Sequence, residues 1–442
     1  MAPKTDSPIR VHTVSLGCPK NRVDTERLLG TLGRAMVPAD SAAEADLVLI
    51  NTCGFIQPAI EESVNTILEA VEDANTSAEE SGSKPLLAVA GCLVSRYRDD
   101  LKSELPEVDL WLSTDELEKW PGMVAEALPL TPEEGLPRRV STAPAYAYLK
   151  VSEGCSHNCR FCTIPSIRGP HRSWPVDFLV AEAEQLAAEV PEIVVVGQDA
   201  TAYGSDLTNG DNLMKLLPRL AAIPSLQWLR LMYLYPAGLT ENLLTFMRDL
   251  GEPLLPYFDI PLQHAHPDIL SSMGRPFAHN PRRVIDRVRS FFPDAALRTT
   301  FIVGYPGETD AHFEELLRLV EETRFHNLGV FPYWAEEGTP AAELDNQVPD
   351  EIKLARRDAV MELQASISAD ILSQYQGETL PVLIEAPSEE WPGLYTGRTW
   401  FQAPEVDGIT YVSAPPEQEL TPGTIVNVEI DRTETYDLSG LV

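Results

Sequence analysis

The residues of this 442-residue chain with the clearest chemical potential are its six cysteines. Cys155, Cys159 and Cys162 lie close together, with three residues and then two between them. One turning loop can therefore present all three thiolates to a single metal centre. A cubane iron–sulfur cluster takes one thiolate per iron, normally four in all, so three ligands leave one iron open to another molecule. The alternative is a zinc ion held by the same trio, with His157 or His171 as fourth ligand.

The other three cysteines, Cys18, Cys53 and Cys92, are far apart in the sequence but share one local setting. Each follows an apolar run that predicts a buried parallel strand, at residues 11–16, 46–51 and 86–90. Open parallel sheets bind ligands at the carboxyl ends of their strands, so we expect these cysteines to meet at one sheet edge. There they would form a second cluster that also lacks its fourth ligand. The alternative is that each is a small buried hydrophobe, as free cysteine often is.

Length and composition indicate a soluble protein of two or three domains, with 44% hydrophobic and 23% charged residues. The sequence contains no apolar stretch of the length that a membrane span needs. Its first residues lack the apolar core of a signal peptide. We therefore expect a cytoplasmic protein, in which free thiols bind metal or act in catalysis rather than pair in disulfides.

The elements that would position the cysteines indicate an α/β protein of three domains. Residues 8–127 alternate strands with helices and predict an open parallel sheet, and the proline-rich residues 128–144 predict a linker. Residues 145–377 predict an incomplete (β/α)6 barrel, with its site at the C-terminal ends of the strands. Residues 378–442 predict a small antiparallel, OB-like β-barrel. The loop that carries Cys155 follows the first strand of the large barrel, on the expected catalytic face.

Individual segments can be predicted within the last two domains. Six barrel strands are predicted at residues 145–151, 193–196, 228–233, 257–260, 298–303 and 328–331. A helix is predicted over residues 350–376, where apolar residues recur every three or four positions. The small β-barrel is predicted from strands at residues 379–385, 394–401, 409–413 and 424–430.

The loop at residues 155–162 resembles that of radical S-adenosylmethionine (SAM) enzymes. In that superfamily a C-x3-C-x2-C loop holds a 4Fe-4S cluster whose open iron chelates the amino and carboxyl groups of SAM. Other segments resemble the methylthiotransferases of this superfamily, at residues 15–26, 51–55, 90–92, 153–169, 261–264, 301–309 and 336–339. The C-terminal β module resembles a TRAM domain. The chain is thereby identified as a member of the radical SAM methylthiotransferases, since the matching segments occur in the right order along nearly its whole length.

The resemblance implies two 4Fe-4S clusters and SAM as cofactors. It assigns the SAM-binding cluster to Cys155, Cys159 and Cys162. It assigns an auxiliary cluster to Cys18, Cys53 and Cys92. The first cluster would generate a 5′-deoxyadenosyl radical from SAM, and the second would deliver a sulfur species that SAM methylates. SAM is thus expected to be both methyl donor and radical source, and no catalytic residue is assigned beyond the cluster ligands.

Family position also implies contacts to SAM by Gln198, Asp199, Arg298 and Gly304. The first two are expected to hydrogen-bond its methionyl end, the arginine to pair with its carboxylate, and the glycine to admit the nucleoside. The alternative for Arg298 is a solvated cation at the start of a strand. The chain departs from the family pattern at Trp174, where arginine is usual, and at Trp334, where serine is common. The SAM and substrate contacts near these two tryptophans are left unassigned.

The substrate is indicated by two motifs and by charge. Residues 17–21 and 197–204 resemble the branch that methylthiolates the β-carbon of an aspartate in ribosomal protein uS12; the alternative is tRNA adenosine modification of the MiaB kind. The formal net charge of the chain is −33, and residues 380–442 carry eleven acids against two arginines. A TRAM domain that binds tRNA needs a basic face to neutralise phosphates. An acidic one suits a ribosomal protein rich in lysine and arginine.

We therefore expect a radical SAM transferase that acts on uS12. The C–H bond at the β-carbon of aspartate is not acidic enough for a side-chain base, so the reaction needs radical chemistry from a cofactor. The expected partners are uS12 or the small ribosomal subunit and a one-electron donor such as flavodoxin or ferredoxin, with no membrane and no tRNA, and the chain is expected to be a monomer. The rival from another class is a non-catalytic metal or redox-sensing scaffold. Colourless protein that holds zinc, without iron or sulfide after anaerobic reconstitution, would favour that rival.

Overall fold

The fold is that of a computed structural model, which describes residues 8–33, 36–128, 132, 138–275, 280–415 and 417–442. Of the predicted linker at residues 128–144, residues 129–131 and 133–137 lie outside them. The chain divides into two compact units. The N-terminal unit comprises Met1–Ser141, Glu153–His157 and Cys162–His171, and the C-terminal unit comprises Thr142–Ser152, Asn158–Phe161 and Arg172–Val442. Across the described ranges, no helix is both long enough and apolar enough to cross a membrane.

The N-terminal unit is built on a five-stranded parallel sheet. Its strands are β1 (Ile9–Ser15), β2 (Met36–Pro38), β3 (Leu47–Thr52), β4 (Leu86–Gly91) and β5 (Leu110–Ser113), in the order β2-β1-β3-β4-β5. Its helices are α1 (Pro19–Thr31), α2 (Gln57–Ser81), α3 (Cys92–Glu104), α4 (Trp120–Ala127) and α5 (Ile164–Arg168). Every residue of the central strand β3 is buried, and its alternate side chains enter two different hydrophobic clusters. Apolar cover on both faces explains why its sequence is a continuous apolar run.

The larger part of the C-terminal unit contains six parallel strands in two sheets of three. The strands are β6 (Tyr146–Lys150), β9 (Glu192–Val196), β10 (Trp228–Leu231), β11 (Tyr257–Gln263), β12 (Ala296–Val303) and β13 (Asn327–Pro332), with the two-residue strands β7 (Ser152–Glu153) and β8 (Arg172–Ser173) after β6. One sheet has the order β10-β9-β6 and the other β11-β12-β13. The backbone N–H of Leu234, just past β10, donates to the carbonyl of Asp259 in β11 at 2.9 Å, which joins the sheets. The predicted incomplete six-stranded barrel is confirmed.

Seven helices accompany these strands in the described residues. They are α6 (Val176–Ala187), α7 (Leu213–Ala221), α8 (Glu241–Leu250), α9 (Pro267–Ser272), α10 (Arg282–Phe291), α11 (Asp310–Thr323) and α12 (Asp350–Ser373). Helix α12 has the position predicted from its apolar spacing. It packs against β13 and α11, and Val360 and Ile367 on its inner face are buried.

The C-terminal module is a closed barrel in the order β14-β15-β16-β18-β17. Its strands are β14 (Thr379–Pro387), β15 (Leu394–Arg398), β16 (Thr410–Ser413), β17 (Ile425–Thr433) and β18 (Leu438–Leu441). Four neighbouring pairs are antiparallel, as predicted, but β16 and β18 run parallel. A closed ring of five strands cannot alternate direction at every step, so one parallel pair is unavoidable. The prediction missed the short fifth strand and with it this pair.

Buried ion pairs fix this module to the start of the large barrel. Glu192, the first residue of β9, accepts from Arg398 of the module at 2.7 Å and from Arg230 of β10 at 2.7 Å. All three side chains are at most 1% exposed. Tyr257, the first residue of β11, donates its hydroxyl proton to Asp407 of the module at 2.6 Å. The module therefore lies at the N-terminal ends of the barrel strands, away from the ends where the catalytic face is expected.

The buried network predicts a large stability effect at one arginine and a small one at another. Arg398→Met would leave the carboxylate of Glu192 with one cation fewer in a buried site, and should lower the free energy of unfolding by about 3 kcal/mol. The control is Arg432→Met, because Arg432 is exposed and pairs with Glu434 at the surface. It should cost about 1 kcal/mol or less. Urea denaturation followed by tryptophan fluorescence measures both, and equal losses would contradict the anchoring role.

Candidate metal centres

Cys18, Cys53 and Cys92 all lie at the carboxyl edge of the N-terminal sheet. Cys18 precedes α1, Cys53 directly follows β3, and Cys92 directly follows β4. Gly17, with a φ of +85°, shows how tightly these loops approach each other. A Cβ atom added there would lie 2.8 Å from the Cβ of Cys53 and 3.2 Å from its Sγ. The structure thus brings the loops of the scattered cysteines together, as strand order predicts.

Two asparagines hold these loops in place. The Nδ2 of Asn21 donates to the carbonyl of Leu16 at 3.0 Å and to that of Thr52 at 2.9 Å. The Nδ2 of Asn51 donates in turn to the carbonyl of Asn21 at 2.8 Å. Both side chains are buried, so water does not compete for the groups that form these hydrogen bonds. They tie the loop after β1 to the end of β3 and so fix the spacing between two of the cysteines.

A buried arginine completes this edge, and sequence reasoning assigned it no role. Arg168, the last residue of α5, donates from Nε to the Sγ of Cys92 at 3.2 Å. Its Nη1 contacts Glu153 Oε1 at 2.8 Å and Asp24 Oδ2 at 3.2 Å, and its side chain is 1% exposed. The signal available in the sequence is only that α5 follows Cys162 closely. Nothing in residue spacing predicts that an arginine there reaches a sulfur 76 residues away.

The three thiols of this edge differ in acidity. Burial and the neighbouring Cys92 raise the pKa of Cys53 to about 12. Burial also raises the pKa of Cys92, because it outweighs the attraction of Arg168. At Cys18 burial opposes ionisation, but the charges of Lys20 and Arg168 outweigh it and lower the pKa. Metal binding requires thiolates and releases protons, and of these three thiols Cys18 loses its proton most readily.

The arrangement of this trio fits a cluster better than a single zinc ion. Zinc holds its sulfurs at about 2.3 Å, which puts them about 4 Å from one another. Among the described residues, the set of three metal-capable side chains whose ligand atoms all lie within 4.8 Å is His266, Asp268 and His312, which includes no cysteine. In a cubane each thiolate binds a different iron, so wider spacing is expected. Three soft sulfur donors at a sheet edge therefore suit a 4Fe-4S cluster with one open iron.

The histidine set is better explained by helix capping than by metal binding. His266 Nδ1 accepts the backbone N–H of Asp268 at 3.1 Å, at the start of α9. His312 Nδ1 accepts the backbone N–H of Thr309 at 3.2 Å, at the start of α11. A neutral imidazole that accepts at Nδ1 carries its proton on Nε2, which leaves no lone pair for a metal. These side chains cap their helices.

The loop with the close cysteine trio lies between β7 and α5 and contributes to both units. In the N-terminal unit, the backbone N–H of Cys155 donates to the carbonyl of Gly169 at 3.0 Å. In the C-terminal unit, Arg275 donates from Nη1 to the Sγ of Cys159 at 3.2 Å. Gly274, with a φ of +75°, precedes this arginine, and a Cβ there would lie 2.7 Å from the carbonyl oxygen of Asn158. The close approach of these two segments therefore requires glycine.

Three of the four residues expected to contact SAM lie at the C-terminal ends of barrel strands. Gln198 and Asp199 follow β9, and Gly304 follows β12. The carboxylate of Asp199 already accepts from the backbone N–H of Thr201 at 2.8 Å and from its hydroxyl at 2.6 Å. At Gly304 an added Cβ would lie 2.2 Å from the Cγ of Lys353. Asp199 and Gly304 thus each have a structural role at the strand ends. The contacts of these residues and of Gln198 with SAM stay predictions.

Arg298 lies elsewhere and already has two partners. It is the third residue of β12, about five residues or about 17 Å from the end of the strand near Gly304. Its guanidinium contacts Asp259 Oδ1 and Asp407 Oδ1, each at 3.2 Å. Burial disfavours its charge, but these carboxylates outweigh that and raise its pKa. We therefore do not place Arg298 in the SAM site; its contacts help to hold the C-terminal module.

The two tryptophans that depart from the family pattern also lie in the C-terminal unit. The ring of Trp174 lies under the ammonium of Lys150, with Nζ 5.3 Å from the ring centroid. Trp334 follows β13 and is 36% exposed. Neither arginine nor serine could reproduce these aromatic surfaces.

Comparison with family models divides the chain into three matches. The model described as the radical SAM superfamily matches residues 149–320. The model described as uncharacterized protein family UPF0004 matches residues 10–113, and the TRAM domain matches residues 377–442.

Curated relatives match almost the whole chain. Ribosomal protein uS12 methylthiotransferase RimO from Nitratidesulfovibrio vulgaris strain DP4 is 60% identical, over 98% of this chain and 100% of the relative. The protein of the same name from Oleidesulfovibrio alaskensis is 57% identical over the same shares. That from Aquifex aeolicus is 42% identical, over 98% of this chain and 97% of the relative.

Solved structures are similar in fold. The radical SAM methyltransferase TsrM from Kitasatospora setae superposes with a TM-score of 0.56 at 14% identity, over 88% of this chain and 77% of that chain. The cobalamin-dependent SAM radical enzyme OxsB gives a TM-score of 0.52 at 13% identity, over 80% of this chain and 56% of that chain. At these identities the likeness concerns the fold alone.

The differing acidities predict the order in which the metal-free thiols react. Iodoacetamide alkylates thiolates, so Cys18 should be modified at a lower pH than Cys53, whose rate should still rise towards pH 12. Peptide mass spectrometry of the metal-free chain over a pH series measures both rates. Lys20→Met is the matched control, because it should move the profile of Cys18 to higher pH and leave that of Cys53 in place. Faster alkylation of Cys53 than of Cys18 near neutral pH would refute this order.

Proposed function

Because the chain belongs to the RimO family of ribosomal protein uS12 methylthiotransferases, we propose that it transfers a methylthio group to the β-carbon of an aspartate of uS12. One observation carries the proposal. Three cysteines converge at the carboxyl edge of one sheet, and three more stand in the loop after the first strand of a radical SAM barrel. Each set offers three ligands and so leaves a metal coordination position for a second molecule.

The cofactors are two 4Fe-4S clusters and SAM. Cys155, Cys159 and Cys162 hold the SAM-binding cluster. Cys18, Cys53 and Cys92 hold the auxiliary cluster. When bound, these groups supply the electron that cleaves SAM, the open iron that carries sulfur, and the methyl group and radical that SAM provides. Gln198, Asp199 and Gly304 contribute to the SAM site at the ends of β9 and β12.

The protein residues contribute position and exclusion of water. The hydrogen bonds of Asn21 and Asn51 hold the loops that carry the auxiliary ligands, and Arg168 keeps the Cys92 side chain in one place. No side-chain base is required, since none could remove a hydrogen from the β-carbon of aspartate. The reaction instead depends on holding that carbon within reach of both centres.

The C-terminal module favours a basic protein as substrate. Eight of the eleven acids in residues 380–442 are exposed: Glu389, Glu390, Glu405, Glu417, Glu419, Glu429, Asp431 and Glu434. Of its two arginines, Arg398 is buried and Arg432 pairs with Glu434. Such a surface repels phosphate backbones and attracts a Lys/Arg-rich ribosomal protein. uS12, free or within the small ribosomal subunit, is therefore the partner rather than tRNA.

The remaining partners follow from the same chemistry. Reductive cleavage of SAM needs one electron at a time, which a flavodoxin or ferredoxin can deliver. The enzyme acts in the cytoplasm, where its ribosomal substrate is made, and it acts as a monomer. Neither a membrane nor a nucleic acid is required for the reaction.

A comparative assay tests the proposed function. The chain reconstituted with iron and sulfide, kept anaerobic with SAM, dithionite and added sulfide as the sulfur source, should add a methylthio group to uS12 or to small ribosomal subunits and leave unmodified tRNA unchanged. Mass spectrometry of uS12 peptides and of tRNA digests gives the two readouts. Cys159→Ala, which lacks a ligand of the SAM-binding cluster, is the blank for both arms. Methylthiolation of tRNA alone would show that the MiaB-like alternative is correct.

Charge reversal tests the role of the acidic module. Glu389→Lys, Glu390→Lys and Glu429→Lys together should raise KM for uS12 about tenfold and leave kcat nearly unchanged, because rim charges act mainly on encounter. Glu69→Lys, Glu72→Lys and Asp73→Lys on α2 form a control with the same change in net charge. The rise should shrink at high salt, where surface charges are screened. Equal KM values for the two triple variants would show that the module does not bind uS12.

A further inference from the structure

Two buried arginines each donate to the sulfur of one proposed cluster ligand. Arg168 reaches Cys92 and Arg275 reaches Cys159, with N···S distances of 3.2 Å in both cases. The two cysteines belong to different trios, and each arginine lies in the same compact unit as its cysteine. The proposed function gives Arg168 only the holding of the Cys92 side chain, and it gives Arg275 no role.

Arg168 has no freedom to leave its sulfur. Glu153 is bidentate to Nη1, at 2.8 and 2.9 Å, and Asn21 accepts from Nη2. With Asp24 also on Nη1, these partners orient the guanidinium so that Nε points to Cys92. A guanidinium is planar and its donors have a fixed geometry, so fixing the two terminal nitrogens fixes the third.

Arg275 is held in a different manner. Its Nη2 donates to the carbonyl of Pro261 at 2.8 Å, within β11. Its guanidinium carbon lies 4.5 Å from the centroid of the Tyr235 ring, which adds a cation–π contact. The residue is 6% exposed, so water does not compete for the nitrogen that faces Cys159.

We propose that Arg168 and Arg275 are positioning residues that raise the reduction potentials of the auxiliary and the SAM-binding cluster, respectively. Cluster potentials depend on net charge and on hydrogen bonds to the ligand sulfurs. A cationic N–H donor stabilises the more negative, reduced cluster, and in a buried site this effect is little screened. The inference rests on the proposed function only in assuming that both clusters bind.

Separate donors would make the two potentials independently adjustable. Arg168 donates to a sulfur of the scattered trio and Arg275 to a sulfur of the close trio. A change at one arginine removes a hydrogen bond from one cluster only, so it should shift the potential of that cluster much more than that of the other. A general effect on folding would not produce this pattern, in which each substitution shifts mainly the cluster whose ligand it contacts.

The test measures each cluster alone. A chain with Cys155→Ala, Cys159→Ala and Cys162→Ala keeps the auxiliary cluster, and a chain with Cys18→Ala, Cys53→Ala and Cys92→Ala keeps the other. Redox titration followed by electron paramagnetic resonance gives each midpoint potential. In the first chain Arg168→Met should lower the ratio of reduced to oxidised cluster at a fixed potential about tenfold, a shift of about 59 mV for a one-electron couple. Arg275→Met should do the same in the second chain.

The controls are the crossed combinations and the lysine variants. Arg275→Met in the first chain and Arg168→Met in the second should shift the potentials far less than the direct combinations do. Arg168→Lys and Arg275→Lys keep the charge but lose the fixed fork, so each should recover part of the lost potential. Unchanged potentials in both methionine variants, or crossed shifts as large as the direct ones, would overturn the proposal.

A measurement on the unsubstituted arginines covers the case in which Arg168→Met cannot hold its cluster. Labelling with ¹⁵N-arginine should give a nitrogen coupling to the reduced cluster in pulsed spectra of both cysteine-substituted chains. Absence of that coupling refutes the proposal even if no arginine variant folds. A chain that takes up neither iron nor sulfide would instead refute the proposed function, so the two failures are distinguishable.

Discussion

The edge of the N-terminal sheet depends on one buried positive charge. Arg168 is almost fully enclosed, and a charge in such a place costs several kcal/mol unless it is paired. Its carboxylate partners, Asp24 and Glu153, come from α1 and β7, and its sulfur partner comes from the start of α3. The arginine therefore requires three segments to be in place together. The same requirement sets the positions of the loops that carry Cys18 and Cys92.

The strands and the cysteines could be predicted because their signals are local. An apolar run followed by cysteine recurs at β1, β3 and β4, and parallel strands share one carboxyl edge. The edge strands β2 and β5 and the last strand β18 were not predicted; each has only three or four residues, and so short a run gives a weak pattern. Local signals thus identify the site and the sheet but not its shortest members.

The roles of the arginines could not be predicted, because their partners are distant in sequence. Arg298 meets Asp407 across 109 residues, and Arg168 meets Asn21 across 147. An isolated arginine at the start of a strand has the same local sequence whether it binds a cofactor carboxylate or a structural aspartate. Family position favoured the first for Arg298, and the structure shows the second. Ion pairs between residues that are distant in sequence leave no local signal from which they could be predicted.

The attachment of the C-terminal module also sets the distance between its acidic surface and the C-terminal ends of the barrel strands. The module is held at the first residues of β9 and β11, and β12 spans eight residues, or about 26 Å, before the opposite end is reached. A partner docked on the acidic surface gains effective concentration at the reaction centre only if its own shape covers that distance. The length of the barrel strands thereby fixes the separation between the docking surface and the reaction centre. Under the proposed function, a folded protein whose target aspartate lies at that distance from its basic surface gains from docking on the module, whereas a short peptide with the same aspartate does not.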